Sequence, residues 1–288
     1  MPVDAGVIDT MMGLPRKDSR WWIKSFGSMV HDTESKESLQ HAAGYMYKNL
    51  PKPDLEQDPV EHVVLEMDKY HIERALLPVS EGDPDSLRAV RDFPDRFLGS
   101  FHTDPNSGMD GVRALERAVR EWGVVAAQAF PAGYVPQVPI NHKSMYPLYA
   151  KCVELDIPMF INAGVPGPRV PMECQDVRLL DEVCWFFPEL KIVTRHGCEP
   201  WEELMVKLMV KWPNLYYSTS AFAPRYYPSA IIEYANKRGA DKVMYAGYYP
   251  SGLSLERIFR EMPGVPLRDE VWPKFLKENA MRVLGIGG

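Results

Sequence analysis

His196 ends the apolar run "LKIVTRHG", where an imidazole that titrates near neutrality suits general acid or base chemistry. Strand alternation groups it with Thr194 and Ile192 on the face expected to look into the interior, and a buried histidine bonded to the next strand is the plainer alternative. Tyr248 in "AGYYP" carries a phenol that can donate a proton, hydrogen-bond an oxyanion, or simply fill volume. Asn162 in "MFINAG" can orient a carbonyl or carboxylate, or bond to a neighbouring strand. Arg195 has the forked geometry that suits a carboxylate. The same alternation turns it away from His196, toward an ion pair with an acid such as Glu199.

Weaker candidates surround these. Asp9 is expected to hydrogen-bond a neighbouring strand end, Gln128 ends another apolar run, and His102-x-Asp104 has the spacing of a ligand pair that also arises by chance. Met11 and Met12 read as flexible packing, or as the floor of a pocket for an apolar or aromatic ligand. Arg169 and Arg225 sit in the Pro-rich stretches "VPGPRVPMECQD" and "AFAPRYYP", where each can hold an anionic group or remain solvated.

These residues need a scaffold that gathers the ends of several strands. Eight short β-rich runs, beginning near residues 6, 74, 97, 124, 157, 190, 215 and 242, alternate with segments of helical periodicity. That alternation predicts parallel strands joined by crossover helices, and eight is the number that closes a (β/α)8 TIM barrel. The 288 residues fit one such domain. About sixty residues separate the first run from the second, and the front of this connection, residues 14–57, is an aromatic-rich insertion. Its Trp21, Trp22, Phe26, Tyr45, Met46 and Tyr47 fit either a cap over a pocket, with Trp21 and Trp22 touching substrate, or a dimer contact.

A net charge of −6 argues against nucleic acid or an anionic membrane as partner, which leaves small molecules or proteins. The four cysteines form no C-x-x-C pair, the first residues have no signal-peptide pattern, and no apolar stretch approaches a membrane span. A cytoplasmic location is therefore expected.

The ordered blocks "MYPLYAKCVELDIPMFINAG", "FPELKIVTRHGCEPWEEL", "YYSTSA", "ADKVMYAGYYPSGLSLERI" and "KENAMRVLGI" resemble the amidohydrolase superfamily, in its amidohydrolase-related (amidohydrolase 2) branch. That branch includes aminocarboxymuconate-semialdehyde and γ-resorcylate decarboxylases. The resemblance covers roughly residues 60–285 and the first strand. It implies a barrel with a divalent metal, usually zinc or manganese, at the C-terminal mouth. The implied ligands are a His-x-His after strand one, histidines after strands five and six, and an Asp after strand eight. Here those places hold Met11 and Gly13, Asn162, His196 and Tyr248, so only the sixth-strand histidine matches. Thioether, glycine and a neutral amide are poor substitutes as ligands, and a site without a cofactor is expected.

The resemblance thus implies a metal-independent decarboxylase, lyase or hydrolase of a small cyclic or aromatic, carboxylated compound. In that reading His196 moves a proton while Tyr248 and Asn162 hold an oxygen. A homodimer is expected, since relatives in the branch are commonly dimers. The alternative is a catalytically degenerate relative that binds a small ligand or a protein partner.

Overall fold

The computed structural model describes residues 6–16, 21–37, 42–47, 49–52 and 55–287. Each β-rich run becomes one strand: β1 (Val7–Asp9), β2 (Ile72–Val79), β3 (Phe97–His102), β4 (Val124–Ala129), β5 (Met159–Asn162), β6 (Ile192–Arg195), β7 (Leu215–Ser218) and β8 (Val243–Met244). All neighbours pair parallel, in the order β1 to β8. The ring closes beyond the last strand. Met12 bridges to Tyr249, the Gly13 amide donates to the Tyr249 carbonyl at 2.8 Å, and the Tyr248 amide donates to the Met11 carbonyl at 2.9 Å. The chain is therefore the (β/α)8 barrel that the alternation predicts.

Two apolar layers hold the barrel. Val7, Ile72, Leu77, Ile161, Ile192 and Tyr217 face the surrounding helices. Ile8, Leu76, Leu98, Phe160, Val193 and Met244 fill the interior, where Ala280, Val283 and Leu284 of the final helix (Asn279–Leu284) join them. Strands covered on both sides are apolar on both faces, as in other all-parallel sheets. The helices start and stop on local signals. Asp58 caps the helix Pro59–Lys69 by accepting from the Val60 and Glu61 amides at 3.0 Å, with Pro59 in the first turn. Gly123, at φ +64°, takes the left-handed turn that ends Gly108–Trp122.

The described part of the insertion makes its own small cluster. Trp22, Phe26, Val30 and Ala42 are buried together against Phe130 and Val170, with Phe26 edge-on to Phe130 at 5.6 Å. Arg169, from the loop after β5, pairs with Asp32 at 2.6 Å and Glu34 at 2.8 Å and lies 4.2 Å over the Tyr45 ring. The Tyr45 hydroxyl donates to the Gly167 carbonyl at 2.8 Å. These contacts tie the described part of the insertion to the loops after β4 and β5. Because the Arg169 pairs are solvent-exposed, Arg169→Gln is expected to cost less than about 1 kcal/mol in denaturant unfolding.

Candidate active site

The strand ends place their polar side chains by the alternation of a barrel wall, and β6 shows which side is which. Ile192 packs with the helix-facing layer and Val193 with the interior layer, so Arg195, two residues on, points inward. This corrects the sequence expectation. Arg195 is 3% exposed, lies 5.0 Å from the Phe160 ring, and among the described residues has no carboxylate within 4 Å, Glu199 included. Its one side-chain hydrogen bond among the described residues is a long one of 3.4 Å from Nη2 to the Thr10 carbonyl, and Nε is buried without a partner among them. Burial of an uncompensated charge pulls its pKa down to about 9.

His196 shares the outward parity of Ile192, yet it reaches the mouth because its own φ is +64°. Its backbone amide donates to Ser220 Oγ at 3.0 Å, its Nδ1 is 3.3 Å from the same hydroxyl, and its ring meets that of Tyr248 edge-on at 5.1 Å. Tyr248 is also left-handed, at φ +73°, as are Cys198, two residues after His196, and Ala221, just after β7. Backbone strain of this kind on residues other than glycine gathers at functional sites. Burial pushes the Tyr248 phenol up to about 12, so it is a proton donor at neutral pH, and the Arg195 charge opposes that shift. Tyr47 of the insertion covers it, with ring centres 6.2 Å apart.

Asn162 ends β5 beside Arg195 in register, nearly buried. No side-chain hydrogen bond of Asn162 is formed among the described residues. Gln128 is buried and donates to Ser100 Oγ across β3 and β4, which leaves its amide nitrogen engaged. His102, on the inward parity of Leu98, is exposed at its strand end, and desolvation, helped by the Arg195 charge, pulls its pKa down to about 4. His102 is therefore neutral at pH 7. Its neighbour Asp104 instead caps the turn Pro105–Ser107 by accepting from the Asn106 amide at 2.9 Å.

Several expected contacts go elsewhere. Arg169 serves the insertion as described, Arg225 is exposed and pairs with Glu261, and Trp22 is buried in the insertion cluster away from the strand ends. The side chain of Trp21 lies outside the described residues. Met11 is half-buried at the end of β1, and Met12 is packing beneath it. Asp9 is fully buried, with Oδ1 accepting from the Met11 and Gly247 amides at 2.9 Å each. Burial pushes its pKa up to about 7 against those two bonds, the nearby Tyr245 hydroxyl and Arg195. Neither Asp9 Oδ2 nor the Tyr245 hydroxyl completes a hydrogen bond of good geometry. A groove of about 710 Å³ lined by Asn141, Glu182, Trp185 and Trp212 lies among the outer helices and contains none of these groups.

Known proteins sharpen the picture. The amidohydrolase family profile matches residues 55–286. A 2-keto-4-carboxy-3-hexenedioate hydratase from Sphingobium sp. is 28% identical over 127 residues, 38% of this chain and 37% of that enzyme, so the match spans little more than a third of its length. An uncharacterized TIM-barrel protein from Bordetella bronchiseptica superposes with a TM-score of 0.76 at 20% identity, covering 97% of this chain and 98% of its own. A 5-carboxyvanillate decarboxylase from Novosphingobium aromaticivorans, crystallised with bound manganese and 3-methoxy-4-hydroxy-5-nitrobenzoic acid, superposes at 0.68 with 18% identity, covering 98% of each chain.

The manganese corrects the expectation of a site without a cofactor: decarboxylase structures that share this barrel at 17–18% identity carry a bound manganese ion. The ligand set implied by the resemblance does not fit the residues present, because Met11, Gly13, Asn162 and Tyr248 stand in four of its places. Among the described residues, no three His, Cys, Asp or Glu side chains converge to hold an ion. No helix among them is long and apolar enough to cross a membrane. The matched profile spans most of the sequence and the eight-stranded barrel is the fold expected of it, so the chain belongs to the amidohydrolase family.

Proposed function

We propose that the chain is a small-molecule lyase acting on a cyclic or aromatic carboxylate, with decarboxylation as its reaction. The observation that carries this reading is the His196–Tyr248 pair. An imidazole and a protonated phenol meet at 5.1 Å on two left-handed strand-end residues, beside a buried guanidinium and an Asn162 whose side chain has no hydrogen bond among the described residues. His196 delivers a proton to the ring carbon that bears the carboxylate. The electron pair of the carbon–carboxyl bond then returns to the ring as that bond breaks, so a carboxylate and a proton become the parent ring and CO2. Tyr248 and Asn162 hold the ring oxygen on which negative charge develops.

The hydratase relative supports a second reading, addition of water across an activated double bond, which also needs proton transfer beside a carboxylate. A panel of hydroxylated benzoates and unsaturated dicarboxylates, incubated with the purified protein and followed by mass spectrometry and CO2 release, tests both. Loss of CO2 from a hydroxybenzoate is the expected result. Gain of water by a dicarboxylate alone selects the second reading, and no turnover of any member overturns both.

A further inference from the structure

Arg195 is the feature that the proton-transfer chemistry leaves unused. A guanidinium offers five donors, and a buried one ordinarily spends them on carboxylates or carbonyls. This one spends only Nη2, on a 3.4 Å contact. Among the described residues, Nε is sealed from solvent without a partner and Nη1 makes no hydrogen bond. Around it stand His102, neutral at pH 7; Asn162, unpaired among the described residues; and the Phe160 ring, an apolar floor 5.0 Å from the guanidinium carbon. Asp9 is within electrostatic reach, but its carboxyl is held by the Met11 and Gly247 amides.

The strand ends thus bury one positive charge in a protein whose net charge is −6. A cation in an enclosed, low-dielectric site attracts an anion far more strongly than one on the surface. Among the described residues Arg195 forms no ion pair across strands, and its cross-strand contacts are the long bond to Thr10 and the Phe160 ring. Its unspent donors are therefore available to a ligand with two acceptor oxygens in a plane, and the aromatic floor favours a flat ring behind them.

We infer that Arg195 is the substrate-binding anchor for a carboxylate on a planar ring, with Asn162 and neutral His102 flanking the bound group. This assignment rests on the lyase reading for its substrate class but is tested by binding alone. Isothermal titration of the full chain with benzoate and with uncharged benzamide is the measurement. Benzoate is expected to bind native protein at least tenfold more tightly than benzamide. Arg195→Gln is expected to weaken benzoate about 10- to 100-fold while leaving benzamide unchanged, and Arg195→Lys, which keeps the charge but not the fork, to fall between.

Equal binding of the two probes by native protein overturns the assignment, as does undiminished benzoate binding by Arg195→Gln or the absence of benzoate binding altogether. Should the glutamine variant not fold, the native comparison and Arg195→Lys decide. Benzoate discrimination without turnover of any carboxylate in the panel leaves the anchor standing and removes the lyase reading. Turnover with benzoate discrimination missing does the reverse.

Discussion

Replacing His196 by Gln is expected to lower kcat on any substrate found in the carboxylate panel by about 10²- to 10⁴-fold, the usual worth of a positioned general acid or base. Glutamine keeps a polar side chain beside Ser220 but cannot carry a proton between substrate and solvent. Tyr248→Phe retains the edge-on ring contact at 5.1 Å and removes only the hydroxyl, so its expected loss of about 10²- to 10³-fold isolates the oxygen-holding role. Because burial holds the Tyr248 phenol near 12, the native pH–rate profile is expected to show no phenol ionisation between pH 6 and pH 9. Steady-state kinetics on both variants is the check. A His196→Gln enzyme with native kcat would remove the histidine from the reaction.

The second large effect concerns stability and its dependence on pH. Asp9 is buried with its carboxyl raised from an ordinary 3.8 to about 7. Below about pH 4 the folded and unfolded chains both hold this proton. Between that pH and about 7 only the folded chain keeps it, so the stability contributed by the protonated form is lost as pH rises through this window and is gone above it. The linkage corresponds to roughly 4 kcal/mol as a ceiling. Asp9→Asn keeps an oxygen for the Met11 and Gly247 amides and never ionises. Urea unfolding at pH 4.5 and pH 8.5 is therefore expected to show the native protein losing stability relative to Asp9→Asn as pH rises. Parallel curves for the two proteins would refute it.

The barrel was legible because its signal is repeated: each apolar run between helical segments became a strand in the expected place, with edges off by a residue or two. The direction of side chains was not. Along β6 the residues Ile192, Val193, Thr194 and Arg195 are all buried, so hydrophobicity cannot say which pair faces the interior, and counting back from His196 chose the wrong one. The error arose because His196 has left the strand's alternation through its positive φ, which no residue type announces in a histidine. Arg195 was set aside on that count, and it proves to be the buried cation of the mouth. The inward position of His102 could have been found by carrying the same alternation along β3 from Leu98. The aromatic insertion was visible as composition, but only coordinates show Arg169 spent on Asp32 and Glu34 rather than on a ligand. The metal expectation failed for another reason: reading substituted ligand positions one at a time says what each cannot hold, not what related barrels carry.

The final helix, whose Ala280, Val283 and Leu284 pack into the interior layer with Ile8, Phe160 and Met244, stoppers the barrel at the end opposite the polar residues. Traffic through the interior is thereby closed. A ligand of Arg195 therefore approaches from the strand-end side, where the Tyr47 and Tyr248 rings lie 6.2 Å apart.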